Sequence, residues 1–434
     1  MTLKMELVGE EVIKPSSPTP NHLQSLHLSL FDQFLPPTYQ TVVLFYDKES
    51  EFDQKNLKEH IIGTNLIQRL KSSLSHTLTN FYPLAGRIHG VTVDCNDEGV
   101  LFTEARTDVP LSDFLGNPRY DLLQQLIAPS KVSDPEGMWP LLRVKVSFFR
   151  NSGFAVAVGV SHKICDTTSL GMFICDWTNA AKGNVLAVNP TFELPIFYPP
   201  GDLSINLPPT MERASTLTKR FAFGSAKIKE LKSKASSKLV THATRNEATT
   251  ALLLKCMMKA SRSKADAIIT QTMDLRARIP SNFLSGKSIG NLFFLPTLKE
   301  NTEKEIELHD MVFKLRNNKK ELDELIKKDS DEVGERLMSA MLSRLYEMSP
   351  EMETFVVTSW CRMPFYGADF GLGTPVWVAA DSIDKTQVVL VDANDGEGIE
   401  AWVTYLKTTC LRSNMTRNCS MLHLPKLTSV VFML

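Results

Sequence analysis

Between Leu66 and Leu78 the apolar positions Leu66, Leu70, Leu74 and Leu78 fall every fourth residue, a stripe along one face of a helix. The stripe ends at Phe81-Tyr82-Pro83; proline lacks the amide donor a helix needs and Gly86 follows, so a new element must begin there. A different period governs the chain farther on. Leu142, Val144, Val146 and Phe148 alternate with Arg143, Lys145 and Ser147, which predicts a strand with one buried and one polar face. After the turn Asn151-Ser152-Gly153, Phe154, Val156, Val158 and Val160 share one face, and Ala155, Ala157 and Gly159 the other. Two apolar faces of unequal bulk predict an internal strand whose small side is closely approached by another layer. Leu170, Phe173, Ile174 and Trp177, spaced by three and four, predict a helix that carries the chain away from the end of that strand.

Six prolines between Pro190 and Ser215 (Pro190, Pro195, Pro199, Pro200, Pro208 and Pro209) exclude helix and central strand. A chain of 434 residues exceeds what one core usually organises. The proline-rich stretch is therefore read as a crossover at 191–215 between an N-terminal domain, 1–190, and a C-terminal domain, 216–434. The second half is expected to open with a charged helix over Ala226–Ser236 and a more buried one over Asn246–Ala260. From Glu303 to Tyr346, Lys, Glu, Leu and Met at helical spacing predict a long solvated helical region.

Charge narrows the partners. With 48 basic and 49 acidic side chains the net charge is -1, so nothing draws the chain to nucleic acid or to an anionic membrane. The seven cysteines are scattered, odd in number and without a C-x-x-C pair, which fits a reducing compartment rather than a disulfide framework or a zinc site. Charges at Lys4, Glu6, Glu10, Glu11 and Lys14 interrupt any signal-peptide core. The cytoplasm is the expected location.

Of nine histidines, His162 stands apart because it ends the buried strand, where a rigid backbone holds a side chain beside a cleft. A neutral imidazole accepts a proton near pH 7, which suits a general base. Asp166, four residues on in His162-Lys163-Ile164-Cys165-Asp166, has two readings. It either orients the imidazole or pairs with a distant arginine and holds the turn. A metal site needs a third ligand, and none lies nearby in sequence. Cys165 beside a histidine is read as packing.

The chain resembles the plant BAHD acyltransferases through His162-Lys163-Ile164-Cys165-Asp166 (H-x-x-x-D) and Asp369-Phe370-Gly371-Leu372-Gly373, which matches D-F-G-W-G at four of five positions. Supporting stretches are Ile13–Pro20, Leu28-Ser29-Leu30-Phe31-Asp32-Gln33, Phe81–Ile88, Asp94–Asp97 and Thr358-Ser359-Trp360-Cys361-Arg362. The first and last of these are most similar to the alkaloid-acetylating branch. The resemblance implies an α/β fold of two similar chloramphenicol-acetyltransferase-like domains, each a mixed sheet flanked by helices, with a tunnel between them. It further implies a monomer that moves an acyl group, acetyl by branch, from acyl-CoA to a hydroxyl or amine of a plant specialised metabolite such as an alkaloid. No permanently bound cofactor or metal is expected; acetyl-CoA is a co-substrate. In the same terms His162 is the general base, and Asp166 is mainly structural and faces Arg276. Asp369, Phe370, Gly371 and Gly373 support the fold, and Thr358, Trp360 and Asn291 lie near substrate or CoA.

Three departures qualify the match, the lightest being Thr167 after the motif Asp, where the family often has Gly. Leu372 stands where the family has Trp, and losing an indole from a packed loop opens a cavity costing roughly 3–5 kcal/mol if nothing refills it. Tyr405–Leu434 carries no Asp or Glu where an acidic ending is expected; a shift of reading frame near Thr404 would account for it. The alternative to an active enzyme is a catalytically impaired relative that binds CoA or metabolite without efficient turnover.

Overall fold

The computed structural model describes residues 3–47, 56–128, 139–150, 153–201, 216–261, 266–281, 283–327, 333–346, 352–381 and 387–406. The chain forms two compact units: Met1–Ser204 with Ser281–Leu292 and Met363–Asp381, and Ile205–Pro280 with Phe293–Arg362 and Ser382–Leu434. Two excursions from the second half of the chain thus belong to the first unit. The segment with Asp369–Gly373 is one of them, so it does not lie with the bulk of the C-terminal half. The crossover proposed at 191–215 lies largely outside the described residues. Its described start holds Thr191 in a bridge to Ser288 and a short helix, Leu194–Phe197.

The sheet of the first unit has six strands, in spatial order Met5–Ile13, Val100–Pro110, Leu142–Arg150, Phe154–Ser161, Tyr39–Tyr46 and Trp377–Ala380. Neighbours are antiparallel except Val100–Pro110 beside Leu142–Arg150. Phe154–Ser161 is buried along its whole length, as its two apolar faces require. Its small side is closely approached at Gly159, where a Cβ would lie 2.9 Å from Thr41 Oγ1 of the paired strand. The helix Asn56–Asn80 buries Leu66, Leu70, Leu74 and Leu78. It packs beside Thr167–Ala181, whose Trp177 Nε1 donates to Leu70 O (3.2 Å) and Ser73 Oγ (3.0 Å).

The second unit is built around another mixed six-stranded sheet, ordered Thr297–Asn301, Asp266–Gln271, Thr354–Ser359, Gln387–Asp392, Ile399–Leu406 and Thr216–Phe223. Its core joins Phe355, Val357, Val388, Leu390 and Val403 of the sheet to the helices Ser225–Lys234, Arg245–Ala260 and Leu308–Lys327. The last of these begins a stretch that the charge pattern presents as solvated. Met311, Val312, Leu315 and Leu322, with Leu337, Met338 and Met341 of the helix Val333–Tyr346, are nevertheless buried, because only one face of each helix carries the Lys and Glu. Thr244 and Glu247 form a capping box at the start of Arg245–Ala260, and Arg316 of the neighbouring helix grips Glu247 with Nε (2.9 Å) and Nη2 (2.8 Å). Among the described residues no helix is long and apolar enough to cross a membrane. The acid-free tail lies, from residue 407, outside the described residues.

Candidate active site

The strand Phe154–Ser161 delivers His162 at its end, where the His162 amide donates to Thr38 O at 2.7 Å, just before the neighbouring strand begins. Cys165, immediately before Asp166, is buried. Asp166 closes the bend as the N-cap of Thr167–Ala181: its Oδ1 accepts from Ser169 N at 2.8 Å. Its other oxygen accepts from Leu292 N at 3.1 Å, so one carboxylate ties the helix start to a segment from far along the chain.

That segment, 281–292, is fixed on several sides. Glu193 Oε1 accepts from Ser285 N and Ser288 Oγ, and Gly290 O accepts from Ser169 Oγ at 3.0 Å. Gly290 has φ +135°, and a Cβ there would lie 2.3 Å from Leu194 Cδ1, so only glycine fits. Asn291 follows, fully buried, with its Oδ1 3.0 Å from His162 Nδ1 and its Nδ2 donating to His162 O at 2.7 Å. Behind it stands Asp32 of the helix Leu30–Phe34, whose Oδ1 accepts from Asn291 N and Nδ2, both at 2.8 Å.

Burial lowers the His162 pKa, so the ring is neutral at pH 7. The Asp166 charge, the Asn291 amide and the carbonyls of His162 and Cys165 oppose that shift and support the ring once it is charged. Asp32 is pushed up to about 6 by burial, against the bonds from Ser29 and Asn291.

Asp369–Gly373 forms a different cluster of the first unit. Asp369 Oδ1 accepts from the backbone N–H groups of Gly371, Leu372 and Gly373 at 2.8, 2.9 and 2.9 Å. Burial alone would raise this carboxyl; those three bonds and Lys182 outweigh it and hold it low. Phe370 is buried against Trp177, ring centroids 4.7 Å apart. Gly371 and Gly373 have φ +84° and +94°, the left-handed region that favours glycine. Lys182 and Trp177 mark the far end of the helix that Asp166 caps, which at about 1.5 Å per residue puts the loop some 20 Å from Asp166. Leu372 is partly exposed, so the cavity expected from the missing indole does not arise in the core.

The structure therefore brings together His162, Asp166 and Asn291. Arg276, Thr358 and Trp360 lie in the second unit. There Arg276 is buried with Nη1 3.0 Å from Asp274 Oδ1, Thr358 sits in the strand Thr354–Ser359, and Trp360 N donates to Leu390 O at 2.7 Å. Sequence reasoning gave no role to Asp32 or Ser29. The signal was present as the S-x-x-D spacing of a capping box, with both reciprocal bonds formed.

A profile described as the Transferase family matches residues 3–413. A BAHD acyltransferase of Arabidopsis thaliana is 42% identical over 421 residues, covering 93% of this chain and 94% of that protein. Stemmadenine O-acetyltransferase of Catharanthus roseus is 33% identical over 416 residues, 93% of this chain and 94% of that protein. The crystal structure of vinorine synthase superposes with a TM-score of 0.80 at 32% identity, covering 94% of this chain and 96% of that one.

Proposed function

Since the chain belongs to the BAHD acyltransferase family, we propose that it transfers an acetyl group from acetyl-CoA to a hydroxyl of a plant specialised metabolite, an alkaloid alcohol foremost, with His162 as general base. Relatives named for O-acetyl transfer support the donor and the accepting atom, and stemmadenine O-acetyltransferase supports the acceptor class. The observation that carries the reading is the pair His162 Nδ1 and Asn291 Oδ1 at 3.0 Å. An amide oxygen only accepts, so Nδ1 holds the hydrogen of the neutral ring and the lone pair resides on Nε2.

Nε2 takes the acceptor's hydroxyl proton as its oxygen bonds to the thioester carbon. The tetrahedral oxyanion then collapses, the carbon–sulfur bond breaks, and the CoA thiolate receives the proton from the imidazolium. Asp166 acts on this step by holding the helix start and by its charge. Asp369–Gly373 acts only through packing.

The test is thiol release from acetyl-CoA by the purified protein with a panel of polycyclic alkaloid and terpenoid alcohols, the ester identified by mass. His162→Ala should lower the rate by roughly 100-fold to 10,000-fold with an unchanged melting curve. Wild-type turnover in His162→Ala refutes the assignment. Thiol release without acceptor would make the protein a thioester hydrolase, and protection by CoA against unfolding without any turnover would make it a binding protein.

A further inference from the structure

We propose that Asp32 is a positioning residue for the acyl transfer: its carboxylate holds the Asn291 amide in the orientation that keeps the hydrogen of neutral His162 on Nδ1. The inference rests on the reading of His162 as the base and adds to it a residue two bonds removed from the reacting atoms.

Asp32 does more than a cap requires. Its Oδ2 accepts from Ser29 N at 3.1 Å and Ser29 Oγ at 2.6 Å; the first of these, with Asp32 N donating to Ser29 Oγ at 3.2 Å, already completes the capping box of Leu30–Phe34. Its Oδ1 is turned instead to a residue 259 positions away and accepts both nitrogens of Asn291. An ionised carboxylate offers only acceptors, so the Asn291 Nδ2 must face it and the Oδ1 must face the ring. His162 O, which takes the other Nδ2 hydrogen, pulls the same way. Were the amide reversed, its N–H would point at Nδ1, the ring hydrogen would move to Nε2, and the base would be blocked.

An acid is a costly choice for this place. Asp32 is only 4% exposed, and burial disfavours its charge. An asparagine there would present an N–H either to Ser29 N or to Asn291 N, so donor would oppose donor in both orientations. The groups that face Asp32 are Ser29 from its own helix, Asn291 from segment 281–292, and the charge of Lys163. Lys163 follows the buried strand, and its Nζ donates to Gln33 O at 2.8 Å.

The experiment reads the ring directly and needs no acceptor. Protein carrying 15N-histidine is recorded at pH 7.5, and the His162 signals are assigned by subtraction of the His162→Ala spectrum. The wild type should show a protonated Nδ1 and a bare Nε2; Asp32→Asn should move the ring toward the Nε2–H tautomer. With acetyl-CoA and the fastest alcohol of the panel, kcat should fall about tenfold or more while KM for acetyl-CoA stays within about twofold, part of what a general base supplies. The acid limb of log kcat should also become shallower, because one of two protonations has been removed. Asp32→Asn/Asn291→Ala should be no slower than Asn291→Ala alone if Asp32 acts through Asn291. Asp32→Ala, which introduces no opposing N–H, replaces Asp32→Asn if that variant does not fold. An unchanged tautomer in the folded Asp32 variant overturns the proposal. If His162→Ala is inactive and the tautomer is unchanged, only the role of Asp32 fails; if His162→Ala is fully active, the base assignment itself fails.

Discussion

Replacing Asp166 with Ala separates architecture from chemistry at this site. Among the bonds the substitution removes are two of different kinds. Losing the Oδ1 cap on Ser169 N costs about 1 kcal/mol, the usual value for an N-cap replaced by alanine. Losing Oδ2 strands the amide of fully buried Leu292, which costs about 1–3 kcal/mol. Together the first unit should lose about 2–4 kcal/mol. At about 2–4 °C per kcal/mol for a unit of this size, Tm should fall by roughly 4–16 °C. Asp166→Ser keeps a cap on Ser169 N while still stranding Leu292, so it should recover about 1 kcal/mol of the loss. Turnover should fall in both variants without vanishing, since the ring loses a supporting charge and Asn291 loses its neighbour's anchor, yet Nε2 remains. Calorimetry of the three proteins, with thiol release measured below the lowest midpoint, tests this. A variant that melts like the wild type and turns over nothing would show that Asp166 takes part in the reaction itself.

Leu372→Trp should change stability by less than about 1 kcal/mol by urea titration, because Leu372 is partly exposed on a loop already pinned by Asp369. Gly371→Ala should cost about 1–2 kcal/mol or more, since φ is +84° and the added Cβ would lie 2.8 Å from Arg69 Nη1. Acid should weaken the second unit through Glu247. Burial alone would raise this carboxyl, but the bonds from Arg316 and Thr244 outweigh it and bring it to about 2 from 4.5. The folded state therefore binds fewer protons than the unfolded one in that window. The contribution, on the order of 3 kcal/mol, is whole above pH 4.5 and drains away as pH falls toward 2. Glu247→Gln should flatten the change in urea midpoint between pH 5 and pH 3; an equally steep loss in the variant would refute the assignment.

Much of this was legible in the sequence because period encodes burial. The leucine stripe at 66–78 and the two-sided strand at 154–160 needed only local spacing, and both formed as read. His162 was visible for the same reason, as the polar residue that ends an apolar strand. Its partners Asn291 and Asp32 left no such periodic mark, and Asn291 entered only through the family resemblance. Asn291 comes from a segment without periodic pattern 129 residues away, and Asp32 sits in a five-residue helix too short to leave a stripe. Charge misled over 303–346, where the abundant Lys and Glu of one face hid the buried Met and Leu of the other. Proline density suggested one crossover, at 191–215, and gave no sign of the excursions at 281–292 and 363–381, whose places are set by pairing with distant strands and loops.

The borrowed strand Trp377–Ala380 has a consequence for biosynthesis. Tyr39–Tyr46, buried from end to end, has emerged from the ribosome long before the segment that completes its outer edge has been translated. From Ser204, where the first long stretch of that unit ends, roughly 180 more residues must be added, about 10–35 s at 5–20 residues per second. Throughout that interval a nascent edge rich in Val, Leu and Phe is open to pairing with other chains. Yield from a heterologous host should therefore depend on holdase capacity and elongation speed, and a fragment ending near residue 204 should aggregate.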